Sequence, residues 1–415
     1  MKTFTGFEYI MIDVANGFGL DKLVFEQRIQ WVKEHLTELE SLAVDAEDPY
    51  LYVKAVQALR KAQQGIPTGH LVALDAVCSG AQLMSVMMGC FKGARATGLV
   101  NPDERSDAYT QLTDEMNRIL ADQGLSVSIP RKDAKQALMT TLYGSKATPK
   151  SLFGEDTPEL GAFYQALQNI VPGAWQLLQA LLASWQPNAL SHDWVLPDNF
   201  HAKIKVMQKV ETRIEVDELD HATFTYEYAD NIGADWGLSN AANAIHSVDA
   251  YVLRSIHRRC NYNQAKVQWV RDMLETELEA RQSTGADALE LTDVNLEVYL
   301  KHWKRTGIVD VVILPAIKYK NVSQLPTEYI VKLQSILDGM LAYKPFEVIT
   351  IHDSFACHAN NCNHLRQQYI NILMDLADSD LMQDILGQIK GKAVKLNKLS
   401  NNLKDYIKES NYGIC

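Results

Sequence analysis

The sequence lacks the features that mark secreted, disulfide-linked or membrane-spanning proteins. Its 415 residues include only six cysteines, and these are too scattered for a disulfide framework. No run approaches the roughly 18 apolar residues that a membrane-spanning helix requires. The N-terminal residues do not have the layout of a signal peptide. We therefore expect a globular protein of a reducing cytosol, with no membrane partner.

Basic charge is also scarce. The formal net charge of −11 argues weakly against nucleic-acid binding, but local charge decides phosphate contact. Residues 390–408 contain six lysines and one acid. This segment is a candidate surface for contact with a nucleic-acid backbone, although such a run is more commonly a solvated lysine face. Residues 212–240 contain seven acids, one arginine and no lysine. This second segment should repel phosphates.

Two short apolar runs each end at an aspartate. Residues 71–74 precede Asp75, and residues 346–351 precede His352 and Asp353. Runs of this length predict buried strands. A strand-end aspartate is more often a turn or cap residue. Two of them together have the hard oxygen ligands that Mg²⁺ prefers, and two-metal phosphoryl transfer needs such a pair.

A basic helix is predicted over residues 131–142. Arg131 and Lys135 are four residues apart, so both side chains lie on one face, where they could meet a triphosphate. Lys135 could also protonate a leaving pyrophosphate. Tyr143 lies roughly 12 Å further along the axis, within reach of the sugar and base of the same nucleotide. The alternative is an ordinary basic surface stripe with a core tyrosine.

Other segments have clear periodicity. We expect helices at residues 22–43, 80–90 and 363–376, and an antiparallel hairpin or longer ribbon between residues 195 and 216. The segment CHANNCNH has zinc-type side chains at a spacing that is poor for zinc, namely Cys357, His358, Cys362 and His364.

Three ordered motifs resemble those of the single-subunit RNA polymerases of phages and mitochondria. LDAVCSGAQLMS around Asp75 resembles the family's D-x-x-C-S-G-x-Q-x-x-S, and TIHDSF around Asp353 resembles its H-D-S-F. Between them lies R-x₃-K-x₇-Y-G, from Arg131 to Gly144. The segments ANGFGLDKLVFEQR, WVLPDNF, IHSVDAYVLR and the C-terminal LKDYIKESNYGIC are similar to further family segments.

The resemblance implies a helix-rich α+β chain with the right-hand polymerase fold, in which the palm has a small antiparallel sheet and the fingers are helical. It also implies that the thumb and the N-terminal domain are absent from this chain. The expected divisions are a first palm part with the Asp75 motif (1–110), fingers (111–190), a fingers and palm part with a specificity-hairpin-like segment (191–257), a family-atypical helical insertion (258–325), and a palm part with the His352-Asp353 motif and C-terminal foot (326–415).

The resemblance also implies site residues. Two Mg²⁺ ions would be held by Asp75, Ala76 and Asp353, and the catalytic residues would be Asp75, Asp353, Lys135 and Tyr143. Gly80 would leave room for the 2′-hydroxyl, with Tyr143 and His246 near the sugar. The expected substrate-contacting residues are Arg131, Lys22, Gly80, His246, Gly144 and His352.

The implied function is that of a DNA-directed RNA polymerase catalytic subunit, which binds a DNA template, an RNA product and ribonucleoside triphosphates. Family members carry several hundred residues before the segment where this chain starts. A second polymerase subunit with the thumb and N-terminal region is therefore expected, as in a heterodimeric phage RNA polymerase acting in the cytosol of an infected bacterium. The acidic 212–240 segment suggests an accessory protein that binds single-stranded DNA or opens the promoter.

Two alternatives remain open. One is a DNA polymerase of the same hand-shaped fold, against which Gly80, Tyr143 and Ser354 speak, since DNA polymerases typically have a glutamate at the position of Ser354. The other is an inactive nucleic-acid-binding scaffold subunit, which would not need Asp75, Arg131, Lys135 and Asp353 together.

Overall fold

Three small antiparallel sheets lie among α-helices in a computed structural model that describes all 415 residues. The helices are α1 (Gly6–Phe18), α2 (Phe25–Glu34), α3 (Pro49–Gln63), α4 (Ser79–Met87), α5 (Phe91–Ala96), α6 (Ala108–Asp122), α7 (Arg131–Leu142), α8 (Ala147–Phe153), α9 (Pro158–Ile170), α10 (Pro172–Leu182), α11 (Ser239–Cys260), α12 (Gln264–Thr284), α13 (Val294–Thr306), α14 (Thr327–Leu341), α15 (Cys362–Asp378), α16 (Leu381–Lys390) and α17 (Leu403–Ile407). The strands are β1 (Leu71–Asp75), β2 (Ser191–Val195), β3 (His201–Lys205), β4 (Met207–Val216), β5 (Ala222–Gly233), β6 (Ile349–Ile351) and β7 (Ser354–His358). The predicted helix-rich α+β class is confirmed.

The three-stranded sheet has the order β1-β7-β6, so strands far apart in the sequence are neighbours. Strand β1 pairs antiparallel with β7, and its last residue, Asp75, is opposite Ser354. On the other side of β1, the Cys415 amide donates to the Asp75 carbonyl at 3.0 Å. The C-terminal residue and the ends of β1 and β7 therefore meet at one end of this sheet.

The main hydrophobic core consists of 84 buried residues from Tyr9 to Cys415 and includes Val72 and Leu74 of β1, whereas Ala73 and Asp75 of that strand are exposed. A second core of 18 buried residues is formed by α12 to α14 and the connections between them. The helical character expected for residues 258–325 is thus observed. No helix has the length and apolarity to span a membrane.

Local chemistry fixes α7, the predicted basic helix, within the bounds expected for it. It begins after Pro130, whose extended backbone is an N-cap conformation. Just before it, the Ile129 amide donates to Asn117 Oδ1 at 2.7 Å, which ties the start of α7 to α6. Leu138 and Leu142 are buried, and the basic residues remain on the open face.

Two element predictions were wrong in extent. The helix expected over residues 22–43 is only α2, because the His35 ring hydrogen-bonds the Trp31 carbonyl and Ser41 donates to the Glu38 carbonyl, and such bonds compete with the helical ladder. The strand expected over residues 346–351 is only β6, because the Phe346 amide donates to Cys260 outside the sheet. The hairpin predicted between residues 195 and 216 is observed as the β2–β3 pair, whereas β4 pairs in a separate sheet with β5, which lies beyond the predicted residues.

Candidate active site

Two aspartates from distant parts of the chain meet at one end of the three-stranded sheet. Asp75 ends β1, and Asp353 lies in the turn between β6 and β7. The Ala76 amide donates to the Asp353 carbonyl at 3.2 Å, which joins the two segments. Both side chains line one cleft of about 510 Å³. The structure therefore brings Asp75, Ala76 and Asp353 together, as the sequence predicted.

Burial and like charge both act on this pair. Burial raises the pKa of Asp75, a hydrogen bond with Ser354 opposes the rise, and the charge of Asp353 adds to it. Asp75 remains in contact with solvent in the open cleft, and two neighbouring carboxylates repel one another when both are ionised. A bound cation would remove that repulsion. The pair therefore offers hard oxygen ligands in a place that favours positive charge.

Unusual backbone conformations shape the turns beside the aspartates. Cys78, three residues after Asp75, has φ 53°, and His352, directly before Asp353, has φ 56°. Residues other than glycine seldom adopt this left-handed region, and such residues are concentrated at functional sites. The Cys78 conformation turns the chain from β1 into α4, which begins at Ser79.

Cationic side chains form another part of the cleft lining. Arg131, Lys135 and Lys22 all line the cleft that holds the two aspartates. Arg131 is not free, because its guanidinium bonds the Asp107 carboxylate at 2.6 Å. Lys135 Nζ lies 5.2 Å from the centre of the Tyr109 ring, within cation–π range. The cleft thus combines an acidic end with cations suited to a polyphosphate.

A smaller cavity of about 60 Å³ adjoins Asp353 and is lined by Gly80 and Tyr143. A Cβ atom built on Gly80 would lie 2.9 Å from Tyr143 Oη. The Tyr143 ring centre is 4.6 Å from that of His246. Burial raises the pKa of Tyr143 to about 12 and lowers the pKa of His246, so both rings are neutral near pH 7. Gly80, Tyr143 and His246 therefore form one cluster, as expected.

Two predicted contact residues lie outside these cavities. Gly144 has φ 93° in the turn after α7, and it lines a different cavity next to α10. His352 is exposed and lines neither cavity, since its backbone holds the turn that carries Asp353. Direct substrate contact by either residue stays a prediction.

Sequence reasoning missed several residues that the fold brings to the site. Asp249 lies three positions after His246 on α11. Burial is the main cause that raises the pKa of Asp249 to about 6, and the charge of Asp353 adds to it. Asp107 and Tyr109 line the cleft from the start of α6. The helical spacing from His246 could have indicated Asp249. Asp107 has a helix N-cap signal, which its hydrogen bonds to the Tyr109 and Thr110 amides confirm, but nothing local indicates its ion pair.

The zinc-type residues do not converge on one point. Cys357 Sγ and Cys362 Sγ are 3.7 Å apart, whereas the His358 ring hydrogen-bonds the Thr68 carbonyl and the His364 ring stacks on Tyr343. A different group, with ligand atoms within 4.8 Å of one another, is exposed near the tip of the β4–β5 ribbon and consists of Glu215, Asp217 and His221.

Comparison with known proteins finds a family match over part of the chain. Residues 3–152 match the family model described as DNA-dependent RNA polymerase. A DNA-directed RNA polymerase of Pseudomonas phage phiKMV is 24% identical over 335 residues, which cover 65% of this chain and 40% of that protein. The mitochondrial DNA-directed RNA polymerase 1 of Arabidopsis thaliana is 25% identical over 172 residues, covering 34% of this chain and 18% of the relative.

A DNA-directed RNA polymerase of Enterobacteria phage K11 is 25% identical over 191 residues, covering 34% of this chain and 21% of the relative. The chain thus spans less than half the length of these curated relatives. Its match to the family model includes Asp75, Gly80, Arg131, Lys135 and Tyr143. The chain is therefore similar to DNA-directed RNA polymerases of phages and mitochondria, and the family match covers residues 3–152.

Proposed function

We propose that this chain carries the nucleotidyl-transfer centre of a DNA-directed RNA polymerase. In this proposal it adds ribonucleotides to the 3′ end of RNA on a DNA template. One observation carries the proposal: Asp75 and Asp353 line the same cleft as Arg131 and Lys135. A cleft with paired carboxylates and neighbouring cations suits the transfer of a nucleotide from a triphosphate.

The carboxylates of Asp75 and Asp353, with the adjacent backbone of Ala76, would hold two Mg²⁺ ions. Such ions would lower the barrier for attack by the 3′-hydroxyl and neutralise the departing pyrophosphate. The donor set fits the group, because these are hard oxygen ligands and burial together with like charge raises the pKa of Asp75. The cluster of Glu215, Asp217 and His221 is exposed at the ribbon and does not line this cleft.

The chain's own cations would bind and discharge the triphosphate. Arg131 would exchange its Asp107 partner for phosphate oxygens, to which a guanidinium can bond in a bidentate manner. Lys135 has no carboxylate within ion-pair distance, so its ammonium is available to give a proton to the leaving pyrophosphate. Lys22 would add a phosphate contact from the exposed edge of the cleft.

Sugar selection would depend on the cavity between Gly80 and Tyr143. Its volume of about 60 Å³ suits a small polar group such as a hydroxyl. Tyr143 Oη can hydrogen-bond that group, and His246 packs against the same ring. A side chain at position 80 would occupy this space. This arrangement favours ribonucleotides over the substrates of a DNA polymerase.

The test is addition of a single nucleotide to an RNA primer annealed to a DNA template, with the full chain and Mg²⁺. We expect Asp353→Asn to reduce the rate by at least a hundredfold while template affinity is retained, because the carboxylate acts on the reaction rather than on the duplex. The matched control is Asp217→Asn, which changes an exposed acid on the ribbon. An Asp353→Asn variant with the original rate would end the proposal.

The preference for one sugar distinguishes an RNA polymerase from a DNA polymerase. In the same assay, Tyr143→Phe should bring the rates with ribonucleotides and deoxyribonucleotides closer together, because it removes the hydroxyl beside Gly80. A strong preference for deoxyribonucleotides in the unmodified chain would favour a DNA polymerase, and template binding without any addition would favour a scaffold. The second subunit and the promoter-opening protein stay predictions.

A further inference from the structure

The cavity that Gly144 lines lies on the other side of the turn that ends α7 from the small cavity beside Gly80. It has a volume of about 400 Å³ and is lined by the end of α7, by Tyr164 of α9, and by α10. Tyr143 lines the small cavity beside Gly80, and the next residue, Gly144, lines this one. The two spaces therefore adjoin through a single peptide unit. A cavity of this size falls in the range of small-ligand sites.

Thr141 is the most informative residue in the lining of this cavity. It is only 3% exposed, and its hydroxyl has no hydrogen-bond partner. A helical threonine usually bonds the carbonyl of a preceding turn, as the adjacent Thr140 does with Gln136 at 2.9 Å. A buried hydroxyl without a partner is unfavourable for the folded protein. Its oxygen has less than 1 Å² of accessible surface, so a ligand with a polar edge would satisfy it after rotation of the side chain about χ1.

The rest of the lining defines the chemistry of that ligand. Tyr164 and Trp175 are half-buried, and their ring centres lie 5.8 Å apart. Leu178 and Leu182 make the lining largely apolar on the α10 side. Lys146 is exposed at the same cavity and forms no ion pair. Aromatic faces, a hydroxyl and a free ammonium together suit a flat heterocycle that carries a negative charge.

We propose that this cavity binds a nucleotide whose base stacks on Trp175, whose polar edge hydrogen-bonds Thr141, and whose phosphate contacts Lys146. The nucleotide could be an unpaired residue of a single strand or a free mononucleotide, since both have the same chemistry. The site does not depend on catalysis at Asp75 and Asp353. It can therefore be tested even if the proposed function is wrong.

The experiment measures binding to the full chain in the presence of a chelator, so that divalent cations in the cleft do not contribute. One probe is a fluorescently labelled single-stranded DNA 10-mer of mixed sequence, followed by anisotropy, and the other is AMP, followed by calorimetry. The variants are Trp175→Ala and Thr141→Val. The matched control is Trp269→Ala, which removes a partly exposed tryptophan of α12 that is not in this cavity.

We expect Trp175→Ala to weaken binding roughly tenfold, as for the loss of base stacking. Thr141→Val, which preserves the side-chain volume, should weaken it about fivefold without lowering the melting temperature. Trp269→Ala should have no effect. Losses with the 10-mer alone would identify a strand as the ligand, and equal losses with AMP would identify a mononucleotide.

Crosslinking gives a second readout. A 10-mer that contains 5-iodouracil should crosslink, on irradiation, to the peptide that includes Trp175 or Tyr164. If Trp175→Ala unfolds the chain, Thr141→Val and the crosslink decide the question. Unchanged affinity of both probes in Thr141→Val, together with crosslinks confined to other peptides, would overturn the proposal.

Discussion

The contact between Gly80 and Tyr143 gives a prediction whose sign can be worked out from the structure. A Cβ atom at position 80 would lie 2.9 Å from Tyr143 Oη and 3.3 Å from its Cζ, whereas ordinary van der Waals contact begins at 3.4 Å. Tyr143 also packs against His246, which limits its movement. We expect the overlap in Gly80→Ala to cost about 1–3 kcal/mol.

A second effect opposes this cost. Gly80 lies inside α4, where alanine is favoured over glycine by about 1 kcal/mol. Gly80→Ala alone should therefore lower the free energy of unfolding by roughly 0–2 kcal/mol. In a chain that also carries Tyr143→Phe, the 2.9 Å contact is absent and the helix preference should dominate. The same substitution should then be neutral or stabilising.

Urea denaturation of the four chains of this double-mutant cycle measures the coupling directly, which we expect to equal the overlap cost of about 1–3 kcal/mol. The three altered chains should also show whether the methyl group blocks ribonucleotide addition, since it projects into the small cavity. Equal effects of Gly80→Ala with and without the tyrosine hydroxyl would refute the view that Gly80 exists to leave room beside Tyr143.

Three further predictions concern the charged groups around the site. Asp107→Asn keeps an N-cap acceptor for α6, so in urea denaturation it should be less destabilising than Asp107→Ala by about 1 kcal/mol. Because it also removes the partner charge of Arg131, it should tighten triphosphate binding. Equal destabilisation by the two substitutions would show that capping is unimportant. The pKa of Asp249 is raised from 3.8 to about 6, so the native state binds an extra proton between these pH values and the stability of the chain falls as pH rises through this window. Without metal, Asp249→Asn should therefore stabilise the chain more at pH 7.5 than at pH 4. An effect that does not depend on pH would contradict this. Asp198 is buried and bonds Arg254 at 2.6 Å and Arg258 at 2.9 Å. Asp198→Ala should therefore lower the free energy of unfolding by about 3 kcal/mol, whereas a loss below about 1 kcal/mol would show that these ion pairs contribute little.

Short-range sequence signals predicted the elements that carry the site. The apolar run before Asp75 predicted β1, and the basic helix predicted over residues 131–142 is α7. The motifs around Asp75 and Asp353 indicated that two distant segments belong together, and the β1–β7 pairing shows that they do. These predictions succeeded because each depends on neighbouring residues or on a motif.

Features that depend on long-range contacts could not be predicted. The ion pair of Arg131 with Asp107 joins residues 24 positions apart, and the Asp249 environment depends on Asp353 across the fold. Strand β7 was missed because its five residues follow Asp353 directly, and only the partner β1 makes the extended conformation favourable. The nucleotide-sized cavity behind α7 is formed by three helices, so no single segment indicates it.

Titration with Mn²⁺, followed by electron paramagnetic resonance, tests the central claim most directly, because Mn²⁺ replaces Mg²⁺ at oxygen ligands. We predict that the full chain with a ribonucleoside triphosphate binds Mn²⁺, that Asp75→Asn and Asp353→Asn each abolish this binding, and that Glu215→Gln in the exposed ribbon cluster leaves it unchanged. Mn²⁺ binding that survives both aspartate substitutions and is lost in Glu215→Gln would contradict the account.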